Sequence, residues 1–326
     1  MNFVEPSVTL ISNENPMNKI ERAYRICYKS EDKMKNDSDR FINKLLYPDD
    51  PHTIPHTSPL AHVRVELIVD YFVMQYLTSW QGAEHNYHIE SYNVPNTNGI
   101  RFKEDEEEDN YILRGNLRAF FDFVNDPDIG EDTLAKDICR AVGNVLAEQF
   151  PLLFKTEPLK WGNIHDNKIN VSFHRMCKAY YTFHIVTTRD VLQQIARHTT
   201  LSLNVESTRY CNYGKKGMTF VIPRPYSFCD FIDWDKGVQD ASAAPDNIGS
   251  IFLNSVKFAE DSYNHALELG FHPEVARMLL PGALKTEIIA TGTVDAWKHF
   301  IKLRCSDDAH PQTRYIADMI RKVVEG

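Results

Sequence analysis

The chain has 326 residues, 43% of them apolar and 25% charged, which allows a real hydrophobic core and excludes a disordered polyelectrolyte. Its formal charge of −9 argues against non-specific attraction to nucleic acid or an anionic membrane, so any anionic ligand needs a local cluster of cations. No run approaches 18 consecutive apolar residues, and the N-terminus has no basic start followed by an apolar stretch. Six scattered cysteines (Cys27, Cys139, Cys177, Cys211, Cys229, Cys305) form no C-x-x-C pair. These features predict a cytoplasmic protein with free thiols and neither a membrane nor a nucleic-acid partner.

In chain order, apolar residues recur at helical spacing over 17–46, with a break near Lys29–Asp39. The Pro- and His-rich segment 47–62 (YPDDPHTIPHTSPLAH) predicts a loop, because proline fixes φ and removes a donor. Residues 63–77 alternate and then become continuously apolar, which predicts a strand running into a buried helix. The polar segment 82–110 ends in KEDEEEDN and predicts a solvated loop; its adjacent carboxylates repel and cannot all face one metal ion. Residues 110–126 and about 132–150 predict two helices, the second capped by Asp132 or Thr133.

YYTFHIVT (180–187) predicts a strand from its β-branched and aromatic content. Residues 188–198 predict a helix capped by Thr188, with Val191, Leu192, Ile195 and Ala196 on one face. A strand follows at 217–225, stopped by Pro223, then a helix at 247–269 closed by Gly270. Helices at 273–280, 294–304 and 311–324 complete a helical C-terminal third. There is no repeat and no Gly/Ser linker. The expectation is one α+β domain over 1–326, a central, mostly antiparallel sheet flanked by helices, with a polar, acidic insertion at about 80–175.

The chemistry concentrates in RHTTLSLNVESTRYCNY, residues 197–213. Gln194 lies one turn before Arg197 and His198. Ser207 and Arg209 are two apart and share a face in extended structure. Such a run either satisfies its own hydrogen bonds or grips an anion, since a guanidinium pairs well with phosphate. Arg277 interrupts an apolar helical run, and Arg304 ends the helix 294–304. His52, His56 and His62 lack the i, i+4 spacing of a helical zinc pair, so no metal is expected. Ser207 lacks a G-x-S-x-G elbow, and neither G-x-G-x-x-G nor a P-loop occurs.

The string Q-x-x-R-H-x-x-x-S-x-N-x-x-S-x-R-Y, at Gln194, Arg197, His198, Ser202, Asn204, Ser207, Arg209 and Tyr210, resembles the signature of the flavin-dependent thymidylate synthases. ERAYRICYKS (21–30), HTSPLAH (56–62), PEVARMLLP (273–281) and WKHFIKLRCSDDAHPQTR (297–314) resemble further blocks of that family, in the same order. GNLRAFFDF (115–123) is a weaker match. The resemblance implies that family's fold and its activity, reductive methylation of dUMP to dTMP. Methylenetetrahydrofolate would give the carbon, FAD would carry the hydride and NADPH would reduce the flavin. It also implies a homotetramer with sites shared between chains.

Carried over by position, the resemblance puts Arg304 against the uracil as the catalytic residue, stabilising charge as N3 loses its proton. Ser207 and Arg209 would hold the dUMP phosphate, with Gln194, Arg197, Glu206 and Arg277 as further substrate contacts. FAD would meet His56, Ser58, Arg197, His198, Thr199, Asn204, Thr293 and His299. Thr199 stands where the signature has a second Arg, Val205 where it has Glu or Gln, and Ala61 where the loop has Glu. Thr293 and Asp295 replace a frequent Asn-x-Arg contact to FAD. These departures imply a weaker hold on the flavin than on dUMP. They keep open a related reaction on another pyrimidine nucleotide, such as dCMP or hydroxymethyl transfer, and a non-catalytic nucleotide-binding homologue.

Overall fold

A computed structural model describes residues 1–34, 38–50, 52–79, 90–93, 110–126, 133–155, 169–178, 180–227, 229, 234 and 248–326. The acidic residues 104–109 and the expected cap Asp132 lie outside them, as does the Thr133 side chain.

The N-terminus forms β1 (Asn2–Val4) and β2 (Ser7–Leu10), then α1 (Pro16–Tyr28) and α2 (Ser38–Leu46), separated at the expected break. The 63–77 segment splits into a strand and a helix, β3 (Arg64–Val69) and α3 (Tyr71–Ser79), but the helix expected to be buried covers only Val73 and Leu77 and leaves Tyr71 and Phe72 exposed. β4 (Glu90–Asn93) follows. Residues 110–126 correct the expectation of one helix. Tyr111–Asn116 is a strand, β5, and only Leu117–Val124 is helical, α4. The Tyr-Ile-Leu run pairs along β3, and Asn116 then caps α4 by accepting from the Ala119 N–H at 2.9 Å. α5 (Thr133–Gln149) and β6 (Val171–Met176) come next.

β7 (Tyr180–Thr188) runs into α6 (Arg189–Ile195), capped by Thr188, whose hydroxyl accepts from the Val191 N–H at 3.2 Å. β8 (Ser202–Val205), α7 (Tyr213–Lys216), β9 (Thr219–Val221) and the long α8 (Ile248–Glu268) follow. Gly270 closes α8 region with φ +89°, a conformation that favours glycine. The 273–280 helix is shorter than its spacing predicts: α9 covers Pro273–Ala276 and tightens into a 3₁₀ turn at Arg277–Leu279. β10 (Lys285–Thr293), absent from the sequence-based reading, leads into α10 (Val294–Arg304), and α11 (Pro311–Val324) ends the chain.

The α+β class, the antiparallel pairing and the helical C-terminus are as expected. Among the described residues the strands divide into two four-stranded antiparallel sheets, ordered β2-β7-β10-β8 and β4-β5-β3-β6, and a parallel pair, β1-β9. The chain forms two compact units. Unit 1 comprises Met1–Asn15, Arg22–Met34 and Ala179–Gly326; unit 2 comprises Pro16–Glu21 and Lys35–Lys178. The segment expected as an insertion lies within unit 2.

Unit 1 buries Phe183 and Ile185 of β7, Val191 and Ile195 of α6, Ile288 and Ala290 of β10, Trp297 and Phe300 of α10, and Ile316 and Ile320 of α11 in one core. Trp297 stands edge-on to Phe183, ring centroids 5.0 Å apart, and its indole N–H donates to the Tyr181 carbonyl at 3.0 Å. Gly292 permits this packing, since a Cβ there would lie 2.4 Å from Leu201. Among the described residues no helix is long and apolar enough to cross a membrane.

Candidate active site

α6 and α10 both belong to unit 1, and their C-terminal ends meet through Arg304. The Arg304 guanidinium donates from Nε to His198 Nε2 at 2.9 Å, from Nη1 to Gln194 Oε1 at 3.1 Å and from Nη2 to the Gln194 carbonyl at 3.1 Å. A cation bonded to a last-turn carbonyl also complements the α6 dipole. A guanidinium has five N–H groups, so two remain for a ligand. Burial lowers the Arg304 pKa and nearby Arg197 lowers it further, while the group stays charged.

His198 is buried, its ring edge-on to Phe300 at 4.8 Å and to His299 at 6.1 Å. Burial, Arg304 and His299, in that order, press its pKa down to about 4. The ring is therefore neutral near pH 7. With Nε2 accepting from Arg304, its proton sits on Nδ1. His198 thus serves as an uncharged rest for the cation.

The chain then passes through β8 to the expected phosphate grip. Ser207 donates its backbone N–H to the Cys27 carbonyl at 3.1 Å, and its hydroxyl accepts from the Arg209 N–H at 3.2 Å. Arg209 is exposed, and its Nε donates to Glu274 Oε2 at 3.3 Å. Arg277, one helical turn beyond Glu274, is also exposed. An exposed pair of this kind contributes about 0–1 kcal/mol, so a phosphate can displace Glu274 from Arg209.

Glu206 points away from solvent. Its carboxylate accepts from the Tyr213 hydroxyl at 2.8 Å and pairs with Lys285 at 3.2 Å and Lys29 at 3.8 Å. Lys285 also pairs with Glu287, which His184 meets at 2.7 Å. Burial would raise the Glu287 carboxyl, but His184 and Lys285 outweigh it and hold the pKa at about 2. Burial raises the Tyr213 pKa, and Glu206 adds to the shift. The sequence reading missed this network. Its one signal is Lys-x-Glu at 285–287, which puts both side chains on one face of a strand.

The expected flavin contacts divide. Arg197, Thr199 and His299 are exposed donors, fitting an anionic cofactor in kind, although exposed Asp295 sits two residues from Thr293. Asn204 is turned inward, donating to Cys27 Sγ at 3.3 Å, and Thr293 caps α10 through the Ala296 N–H at 3.2 Å. His198 is committed to Arg304. His56 and Ser58 belong to unit 2, where Ser58 Oγ lies 3.0 Å from His56 Nε2 and Arg118 Nε donates to Thr57 at 3.1 Å. Burial, then Arg118, lowers the His56 pKa. None of the six cysteines is in a disulfide, and five are buried. Among the described residues no three His, Cys, Asp or Glu side chains converge as metal ligands.

The family model of the thymidylate synthase complementing proteins matches residues 175–326. Those residues, a little under half of the chain, are similar to that family. Flavin-dependent thymidylate synthases are its relatives. The Haloarcula marismortui protein is 29% identical over 140 residues, covering 40% of this chain and 56% of its own. The Synechocystis protein is 30% identical over 150 residues, covering 44% and 64%. A probable family member from Mycobacterium phage D29 is 28% identical, covering 44% and 60%. The chain thus matches somewhat over half the length of these relatives. A solved thymidylate synthase X from Helicobacter pylori, described with FAD and dUMP, is 20% identical with a TM-score of 0.33, covering 44% of this chain and 66% of that one.

Proposed function

We propose that the protein is an FAD-dependent methylase converting dUMP to dTMP, with methylenetetrahydrofolate as carbon donor and NADPH as reductant. The observation that carries this reading is the Arg304 guanidinium, fixed by three hydrogen bonds from Nε, Nη1 and Nη2 and left with two N–H groups to offer. Those groups suit a pyrimidine edge, where they stabilise negative charge as N3 gives up its proton. Because His198 and Gln194 already orient the fork, little reorganisation is needed when substrate arrives. Ser207 and Arg209 hold the phosphate, with Glu274 as the group displaced. FAD would supply the hydride transfer when bound, and the exposed donors Arg197, Thr199 and His299 would hold it.

Arg277 is exposed beside Met278 (78% exposed), Val275 and Leu279. That apolar surround supports assigning Arg277 to the site of a neighbouring copy in a homotetramer. Protein loaded with FAD should show flavin absorbance and form dTMP from dUMP, folate donor and NADPH. Arg304→Ala should lower turnover by about 100-fold or more, the scale of losing one preorganised donor to a developing charge. Failure to take up FAD, or full turnover in Arg304→Ala, defeats the reading.

A further inference from the structure

The two sheets have the same wiring. In unit 1, β7 runs through one capping residue into α6; in unit 2, β3 runs through Asp70 into α3. Thr188 accepts from the N–H three residues on, and Asp70 accepts likewise from Val73 at 2.9 Å. Each strand then pairs antiparallel with a later one, β10 and β5. The start of the later strand lies beside the end of the earlier one, at Lys285 with Thr188 and at Tyr111 with Val69. Each later strand also ends in a capped helix: Thr293 accepts from Ala296 and Asn116 from Ala119. Beyond them lie β8 on β10 and β4 on β5; on the other side lie β2 on β7 and β6 on β3, all antiparallel.

The buried faces agree as well. Counted from the caps, Val191 and Ile195 match Val73 and Leu77, and all four are buried. Ala296, Trp297 and Phe300 match Ala119, Phe120 and Phe123, again all buried. The site residues do not match. The same counting sets Gln194 against Tyr76 and Arg197 against Ser79; in the sequence it sets His198 against Trp80 and Arg304 against Pro127. The segment between β8 and β10, which carries Ser207, Arg209 and Arg277, spans 206–284. Its counterpart between β4 and β5 spans only 94–110.

We infer that unit 2 is a second copy of the unit 1 fold that has kept the core and caps and lost the nucleotide site, so that the chain binds nucleotide through unit 1 alone. The two copies differ in the source of the fourth strand, which precedes the others in unit 1 and follows them in unit 2. The family match, confined to 175–326, agrees with a site retained in one copy. The binding claim rests on the nucleotide reading above.

The test uses the full chain. Calorimetric titration with dUMP should give no more than one nucleotide per chain. Photo-crosslinking with 5-iodo-dUMP should label peptides within 180–326. Two nucleotides per chain, or label in 64–126, would overturn the inference while leaving the nucleotide reading intact. No binding to the full chain would overturn the nucleotide reading itself and, with it, unit 1 as the loaded copy.

Discussion

Arg304 and Arg209 meet a ligand from opposite starting conditions. Arg304 is held by neutral partners, so its charge is oriented but not cancelled. Arg209 is paired with a carboxylate in solvent, so its charge is cancelled but easily released. A phosphate approaching Arg209 must first separate it from Glu274. Glu274→Gln removes that competitor and keeps the side chain's size. The variant should bind dUMP about 2- to 5-fold more tightly, in line with the worth of an exposed pair, with turnover unchanged. Titration of the variant beside the unsubstituted protein checks this; weaker binding would mean Glu274 positions Arg209 instead of occupying it.

At the scale of elements, the recurring unit is strand, cap, helix. A single residue at the strand–helix junction accepts from the N–H three residues on, one of the N–H groups that the helix's first turn leaves free. Thr188→Ala and Asp70→Ala should each destabilise the protein by about 1 kcal/mol, read by chemical denaturation. An unchanged midpoint in either variant would show that the cap is dispensable there. Thr188 was legible in the sequence, because TRDVLQQIARH has helical spacing directly after a β-branched run. Asp70 was not, since VRVELIVDYFVMQYL passes from alternation into an apolar run without marking the residue at which the strand gives way to the helix. β5 was hidden for a different reason. GNLRAFFDF is a strong helical pattern, and the strand before it is fixed by pairing with β4 and with β3, the latter 42 to 52 residues away in the register.

For the molecule as a whole, the signature residues were legible but their burial was not. Glu206 and Ser207 are neighbours in sequence, yet one is sealed beneath Tyr213 and Lys285 and the other is half-exposed. That division depends on β8 pairing with β10, whose Lys285 and Glu287 come from some 80 residues further along the chain. The repeat was equally hidden, because it survives in caps and core positions and not in the residues that make a motif.

The buried charges also set how stability depends on pH, and the signs oppose. His198 has its pKa lowered from 6.5 to about 4, so its contribution is complete above 6.5 and is lost as pH falls towards 4. Glu287, lowered from 4.5 to about 2, loses its contribution between those values. Glu31 runs the other way: burial first, then repulsion from Glu287, raises it from 4.5 to about 7. Its folded form holds the proton more tightly than the unfolded form, so stability falls as pH rises from 4.5 to 7 and stays reduced above. Glu31 Oε1 is buried with no hydrogen-bond partner among the described residues, which is consistent with a carboxylate poorly served when ionised. Glu31→Gln removes the ionisation and keeps the shape. Its melting temperature should exceed that of the unsubstituted protein at pH 8 and match it at pH 4.5. Equal melting at both pH values would mean that the Glu31 carboxylate is solvated when charged, and a gain at pH 4.5 alone would reverse the sign of the argument.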